Sequence, residues 1–401
     1  MAEVTDFGLI VLVVSAFLAL AVFTNRLSER FPIPAPAIFL LAAALAARLS
    51  PRLGDKLSIQ DVERIAVVAL IAILFDGGVR IGWRRFRVAA VPISVLGTVS
   101  TFATAALIAL AGHWLFDFSW TTAGMLGAAL APTDPAVMFS VLGKREVGGG
   151  VGTILEGESG VNDPVGIALM IGMIELATHH NATFWVVVRE FVVEMSVGLA
   201  IGILGALVLL QWVRRMTLAS PALYPLRSVA AAGLIYGVAA VAHGSGFLAV
   251  FVAGILIGDA DYPHRRDVVG FHKSLASLAE VVAFVALGLT INNVSVGSVW
   301  LDATLLALIL AFVARPAAVW PLLLPSRLRH GERLFIMWSG LKGAVPILLA
   351  AFALLQHADG ADRIYGIVFV VVLLSVVFQG SSIPYVARRL RVPMRMIDNS
   401  S

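Results

Sequence analysis

Thirteen apolar segments set the architecture of this chain, at about 7–24, 34–49, 62–79, 88–112, 120–142, 151–177, 185–213, 228–243, 246–260, 275–292, 302–324, 334–355 and 364–386. A helix needs about 20 apolar residues to cross the hydrocarbon core of a bilayer, and most of the segments are near that length. Only 13% of the 401 residues are charged and 59% are hydrophobic, with a mean hydropathy of +0.93. An average soluble domain is about 25% charged, so this chain cannot cover a water-facing surface. The expectation is an all-α polytopic membrane protein, with residues 1–401 as one transmembrane domain of about thirteen helices. The first segment runs into "NRLSER" with no small-residue cleavage site, so it reads as a retained span and not a signal peptide. Cysteine is absent, which excludes disulfides and thiolate metal sites. The pair 228–243 and 246–260 is the least regular, because "AHGSG" separates two short runs.

The basic residues give the orientation. The odd-numbered loops and the C-terminal tail hold 21 Lys and Arg residues, whereas the even-numbered loops hold 4. Cytoplasmic loops carry the excess, so the N-terminus is expected outside and the C-terminus inside. The pI near 9.7 then reflects a cytoplasmic rim and not a nucleic-acid surface. Four cations remain within or near spans. Arg64 and Arg189 lie near outer ends, where long side chains snorkel. Arg315 and Lys342 sit deeper and need partners or water.

Charged groups at mid-bilayer are expensive and normally mark a pathway or a proton relay. Span five reads "LGAALAPTDPAVMFSVL", with Thr133 and Asp134 between Pro132 and Pro135. Each proline removes a donor and disrupts the preceding turn. The carbonyls around 129–132 are therefore expected to be free, and with Thr133 and Asp134 they form a hard-oxygen site suited to an alkali cation. A kink with a structural Asp is the simpler alternative. In span six, "EGESGVNDPVGIALMIGMIEL" places Ser159 and Asp163 on one helical face, and Glu158 and Asn162 on a neighbouring one. Glu156 fits a polar helix entrance; Asp163 lies too deep for that. Asp134, Asp163 and Lys342 fall near one depth. Asp76 either lines a cytoplasmic funnel or pairs with Arg80, and His243 reads as a structural or interfacial residue.

Spans one to six and eight to thirteen are offset by seven, an odd number, so the second set is inverted relative to the first. The expected repeats cover about 7–177 and 228–386, with a linker helix at 185–213. Span five, with Pro132 and Pro135, then corresponds to span twelve, with Gly340, Gly343 and Pro346. Matching interruptions in inverted halves point to the binding site of a secondary transporter. The halves share no convincing residue-level identity, so this symmetry rests on topology.

"APTDP", "GESGVNDP", "SGFLAVFVAGILIGD" and "GLKGAVPI", in this order, resemble the monovalent cation:proton antiporter family of NhaP-type and eukaryotic Na+/H+ exchangers, over nearly the whole chain. The resemblance implies thirteen spans in inverted repeats, crossed broken helices and a homodimer in a prokaryotic inner membrane. It implies that Asp163 alternately holds cation and proton. Asp134, Thr133, Ser159 and Asn162 would complete the cation- and proton-binding site, with Asp134, Thr133 and Ser159 supplying further oxygens to the alkali cation. Asn162 before the Asp resembles the electroneutral branch, which implies one-for-one exchange of Na+ or K+ against H+, with no cofactor beyond the transported ions. The family often has Arg in "GLRGA" where this chain has Lys342, and an ion pair of Glu158 with Lys342 is expected. Arg315 is the other candidate for Glu158, or else faces Glu280. "LFDGG" resembles a branch often described as potassium/proton antiporters, whose members usually carry a soluble cytoplasmic domain after the last span. This chain stops fifteen residues after span thirteen, so no such domain is expected in it.

Two other functions compete. "GESG" with "AHGSG" suggests an intramembrane serine protease using Ser159 and His243, but such proteases need about half this many spans and leave Asp134, Asp163 and Lys342 unexplained. A cation channel calls for rings of carbonyls or charges from several subunits, whereas one chain here supplies a single asymmetric site. Neither Tyr-Asp nor Gly-x-Gly-Asp occurs, which removes aspartyl intramembrane proteolysis. The chain is expected to be a transporter and not an enzyme.

Overall fold

The computed structural model describes residues 15–21, 34–49, 58–142, 145–179, 184–293 and 296–396, with a few isolated positions before residue 24. Within the first apolar segment, 15–21 and the isolated positions 8, 12 and 23 are helical; its other residues, and the loop that follows, lie outside the described residues. Every later segment is a helix or a pair of helices. Eight helical runs among the described residues are long and apolar enough to cross a membrane, and Ala35–Leu49, Gly246–Gly258 and Ala344–Leu355 are shorter apolar helices.

Helix α1 is Ala35–Leu49 and α2 is Ile59–Val95, which starts from a capping box of Ser58 and Asp61. The basic stretch 80–87, expected as a loop between spans three and four, is helical on both sides of a single hinge at Gly82 (φ 63, ψ 162). This is a correction with a local cause. Glycine alone takes that φ without strain, and the Asp259 carboxylate accepts the Arg84 N–H at 2.6 Å where the chain re-enters helix. Gly78 and Gly82 pack against Gly254 and Gly258, so closely that a Cβ on Gly78 or Gly254 would overlap the facing backbone. Small residues four apart allow such backbone approach between membrane helices.

A π-turn at Leu96–Ser100 joins α2 to α3 (Thr101–Phe116). Span five is broken into α4 (Trp120–Leu130) and α5 (Pro135–Leu142), and α6 is Gly149–Thr178. Then follow α7 (Phe184–Arg215), α8 (Leu223–Val241), α9 (Gly246–Gly258) and α10 (Arg265–Leu289). "AHGSG" is a true turn, with His243 at φ 56 and Ser245 capping α9. Span eleven is α11 (Val296–Ile309), a π-turn at Leu310–Ala314, and α12 (Arg315–Leu323). Span twelve is broken into α13 (His330–Trp338) and α14 (Ala344–Leu355). Span thirteen is α15 (Ala361–Leu374), a π-turn at Ser375–Gly380, and α16 (Ser381–Arg389).

Several interruptions recur seven spans apart: spans five and twelve are both broken, and spans four and eleven both carry a π-turn, whereas the π-turn of span thirteen has no counterpart in the continuous α6 of span six. The fold is nearly, but not wholly, helical: β1 (Arg145–Val147) pairs antiparallel with β2 (Met394–Met396), Glu146 opposite Arg395. The core gathers around α4, α6 and α14, whose side chains are mostly buried, while α7 exposes Leu199, Ile203, Leu204, Leu207 and Val208. An apolar outer face of that kind is what lipid solvates.

Candidate functional site

The two broken helices cross. Pro132 and Pro135 leave 131–134 outside helix, and Gly340 and Gly343 do the same for 339–343. The strands of unwound chain are tied by Asp134 N–H donating to the Leu341 carbonyl at 2.8 Å. Asp134 also accepts the Ala136 N–H at 2.8 Å, and its carboxylate lies against the Ala344 backbone N–H. It therefore sits at the N-termini of both α5 and α14, where the helix dipoles favour negative charge. Gly343 is required here: a Cβ at this position would fall inside the Asp134 carboxylate.

Lys342 takes the opposite pole. Its ammonium donates to the carbonyls of Ala131 and Pro132 at 3.0 and 2.8 Å, at the C-terminal end of α4. The freed carbonyls of span five exist as expected, but two of them hold this lysine. Its backbone N–H donates to Ser375 Oγ at 3.0 Å, Ser375 donates to Gln379 Oε1 at 3.1 Å, and Gln379 Nε2 donates to the Trp338 carbonyl at 2.6 Å. Ser375 and Gln379 brace the crossing from the π-turn of span thirteen. Sequence reasoning missed both, although Gln379 in "SVVFQGSS" is a polar residue inside an apolar segment.

Helix α6 delivers the remaining groups, all buried. Asn162 clamps the unwound stretch: its Nδ2 donates to Thr133 Oγ1 at 2.8 Å and its Oδ1 accepts the Thr133 N–H at 3.4 Å. Glu158, fully buried, pairs with Arg315 Nη1 at 2.6 Å. This corrects both expected pairs. Glu158 faces span eleven, where Arg315 leaves the π-turn, so neither Glu158–Lys342 nor Arg315–Glu280 forms. Ser159 and Asp163 share the other face. Asp163 is 6% exposed and within electrostatic reach of Asp134 and Lys342. Its Oδ1 has no hydrogen-bond partner among the described residues.

Asp76 is 1% exposed and bound to Arg80 Nε at 2.8 Å, which is the pairing expected of it. His243 lies in the exposed turn between α8 and α9, whereas Ser159 is buried ten residues into α6. No hydrogen bond joins them, and the arrangement a serine nucleophile needs is missing.

Chemically, the centre holds one cation, Lys342, on carbonyls, one carboxylate, Asp134, on backbone amides, and one ion pair, Glu158–Arg315. Asp163 is left buried within electrostatic reach of Asp134 and Lys342, with one oxygen that has no hydrogen-bond partner among the described residues. A group so placed can take a proton or a small cation in turn.

The chain matches the family model described as sodium/hydrogen exchanger, transmembrane, over residues 13–389. It is 35% identical over 387 residues to the K(+)/H(+) antiporter NhaP of Alkalimonas amylolytica, covering 96% of this chain and 67% of that protein. It is 32% identical over 381 residues to the K(+)/H(+) antiporter NhaP2 of Shewanella sp. (strain ANA-3), covering 94% and 66%. The chain thus spans about two thirds of the length of these relatives. Its fold is that of the sodium proton antiporter MjNhaP1 from Methanocaldococcus jannaschii, with a TM-score of 0.81 at 22% identity, covering 97% of this chain and 99% of that one.

Proposed function

The chain belongs to the sodium/hydrogen exchanger family, and from that premise we propose that it exchanges a monovalent cation for a proton across a membrane by alternating access at Asp163. The observation that carries the reading is the contrast among the central carboxylates. Asp134 is held by backbone amides and Glu158 by Arg315, while Asp163 Oδ1 has no hydrogen-bond partner among the described residues. The alkali cation would take oxygens from Asp163, Ser159, Thr133 and Asp134, and Asn162 would hold Thr133 in position. With Asn162 neutral, the exchange is one for one and electroneutral. The longer matches are named for K+ and a shorter one, NhaH of Halobacillus aidingensis, for Na+. K+ is therefore the first cation to try.

The same reading assigns inverted repeats at about 7–177 and 228–386 around the linker helix at 185–213. Supporting it, the breaks in spans five and twelve, and the π-turns in spans four and eleven, fall seven spans apart. The N-terminus would lie outside and the C-terminus in the cytoplasm of a prokaryotic inner membrane, the protein working as a homodimer. The test is purified protein in liposomes with an internal pH dye, challenged with Li+, Na+ and K+ in turn. Cation-driven alkalinisation or acidification that ceases without protein supports exchange; ion flux without proton movement rejects it.

A further inference from the structure

Arg315 is taken by Glu158, so a second mid-membrane carboxylate, Glu280 on α10, has no role in the site described so far. Along one face of α10, exposure falls with depth: Lys273 and Ser277 are exposed, Glu280 is partly buried, and Phe284 is sealed. Helix α2 packs along α10 and adds Asp76, Gly77 and Arg80. Lys273 lies within electrostatic reach of Asp76, and space is open beside Gly77, where an added Cβ would touch nothing. Two buried carboxylate oxygens here, Asp76 Oδ1 and Glu280 Oε1, have no hydrogen-bond partner among the described residues. Arg80 Nε is committed to Asp76 Oδ2. Glu280 lies within electrostatic reach of Arg80 on one side and Asp134 on the other, and α10 also packs on α14, the half-helix that starts beside Asp134. Polar groups thus run along the facing sides of α2 and α10 from the exposed Lys273 toward the crossing, and Glu280 is the last carboxylate among them before Asp134.

We propose that Glu280 is a relay carboxylate on the cytoplasmic approach to Asp163, which receives the monovalent cation as it sheds water and passes it to the central site. A cation moving into a narrow polar path needs oxygens in succession, each binding well enough to admit it and weakly enough to release it. Asp76 is less suited, because Arg80 already neutralises it. The inference rests on the exchange reading and on a cytoplasmic location for the part of α2 around Arg80 and the Gly82 hinge.

The experiment measures half-saturating K+ separately from the two faces, in right-side-out and everted membrane vesicles, with a pH dye. Glu280→Gln is expected to raise the cytoplasmic value about tenfold, the scale of one charge acting through a polar interior, and to leave the outer value within twofold. Equal shifts at both faces, or none at the cytoplasmic face, overturn the relay. Should Glu280→Gln fail to assemble, Glu280→Asp decides, since it keeps the charge. It is expected to transport with a smaller, cytoplasm-only shift, and an inactive or symmetric Asp variant overturns the proposal. Failure of the exchange reading looks different: wild-type vesicles would then show no cation-driven proton movement at all.

Discussion

Glu158 and Arg315 form a buried ion pair, 2.6 Å apart between α6 and the start of α12. It ties the helix that carries Asp163 to span eleven and leaves Lys342 to donate to the carbonyls of Ala131 and Pro132. Removing one partner of such a pair strands a charge, at about 3–5 kcal/mol. Glu158→Gln and Arg315→Met are each expected to lower thermal stability in detergent, and the double variant to recover part of the loss. Lys342→Met combined with Glu158→Gln should recover less. Strict additivity for the Arg315 pair, with recovery for the Lys342 pair, would restore the contact expected from sequence.

Gly343→Ala tests the crossing itself. The added methyl meets the Asp134 carboxylate, which must then leave the amides of α5 and α14. Overpacking of this kind costs roughly 1–3 kcal/mol. Transport should fall at least tenfold, with a lower melting temperature, whereas Gly340→Ala meets Arg315 and should disturb the ion pair instead. A Gly343→Ala protein with wild-type exchange contradicts the placement of Asp134.

The pH dependence follows from competition at one carboxylate. Cation and proton exclude each other at Asp163, so lowering the pH on the cation-loading side raises the half-saturating cation concentration. It should rise about tenfold per pH unit once the protonated form dominates, as for any single-site competition. Saturating cation restores the rate at each pH until proton release on the other side limits it. Initial rates over a matrix of pH and cation concentration check this; a half-saturating concentration independent of pH would mean separate sites.

Stoichiometry is read from a null point. With one proton exchanged for one monovalent cation, both legs of the cycle carry equal charge. A membrane potential, worth about 2.3 kcal/mol per charge per 100 mV, then does no net work. Flux should stop where the two concentration ratios are equal, whatever potential is imposed. A voltage-dependent null point would put a second proton in the cycle, with Asp134 and Glu280 the residues to examine.

Much of this organisation is legible in the sequence because membrane solvent makes it so. Apolar length marks the spans, Pro132, Pro135, Gly340 and Gly343 mark the breaks, and depth groups Asp134, Asp163 and Lys342. What is not legible depends on rotation about helix axes. The π-turn at Leu310–Ala314 precedes Arg315, and although Pro316 marks a disturbed turn there, nothing in "ALILAFVARP" says which way Arg315 will face. Lys342 pairs with backbone carbonyls, which have no sequence signature. Gly82 looked like part of a basic loop because its partner, Asp259, is distant in the chain. The β1–β2 pair is likewise made by residues far apart, each strand only three residues long.

The most direct measurement is cation-driven proton movement by Asp163→Asn in proteoliposomes, compared with wild type at equal protein and matched orientation. Asparagine keeps the size of the side chain and one oxygen, so α6 and its contacts through Asn162 and Glu158 should survive, with a melting temperature within a few degrees of wild type. The charge that cation and proton contest is gone, and exchange should drop to the level of protein-free liposomes for Li+, Na+ and K+ alike. A folded Asp163→Asn protein that retains more than a small fraction of wild-type exchange would contradict the assignment of Asp163 as the alternating carboxylate.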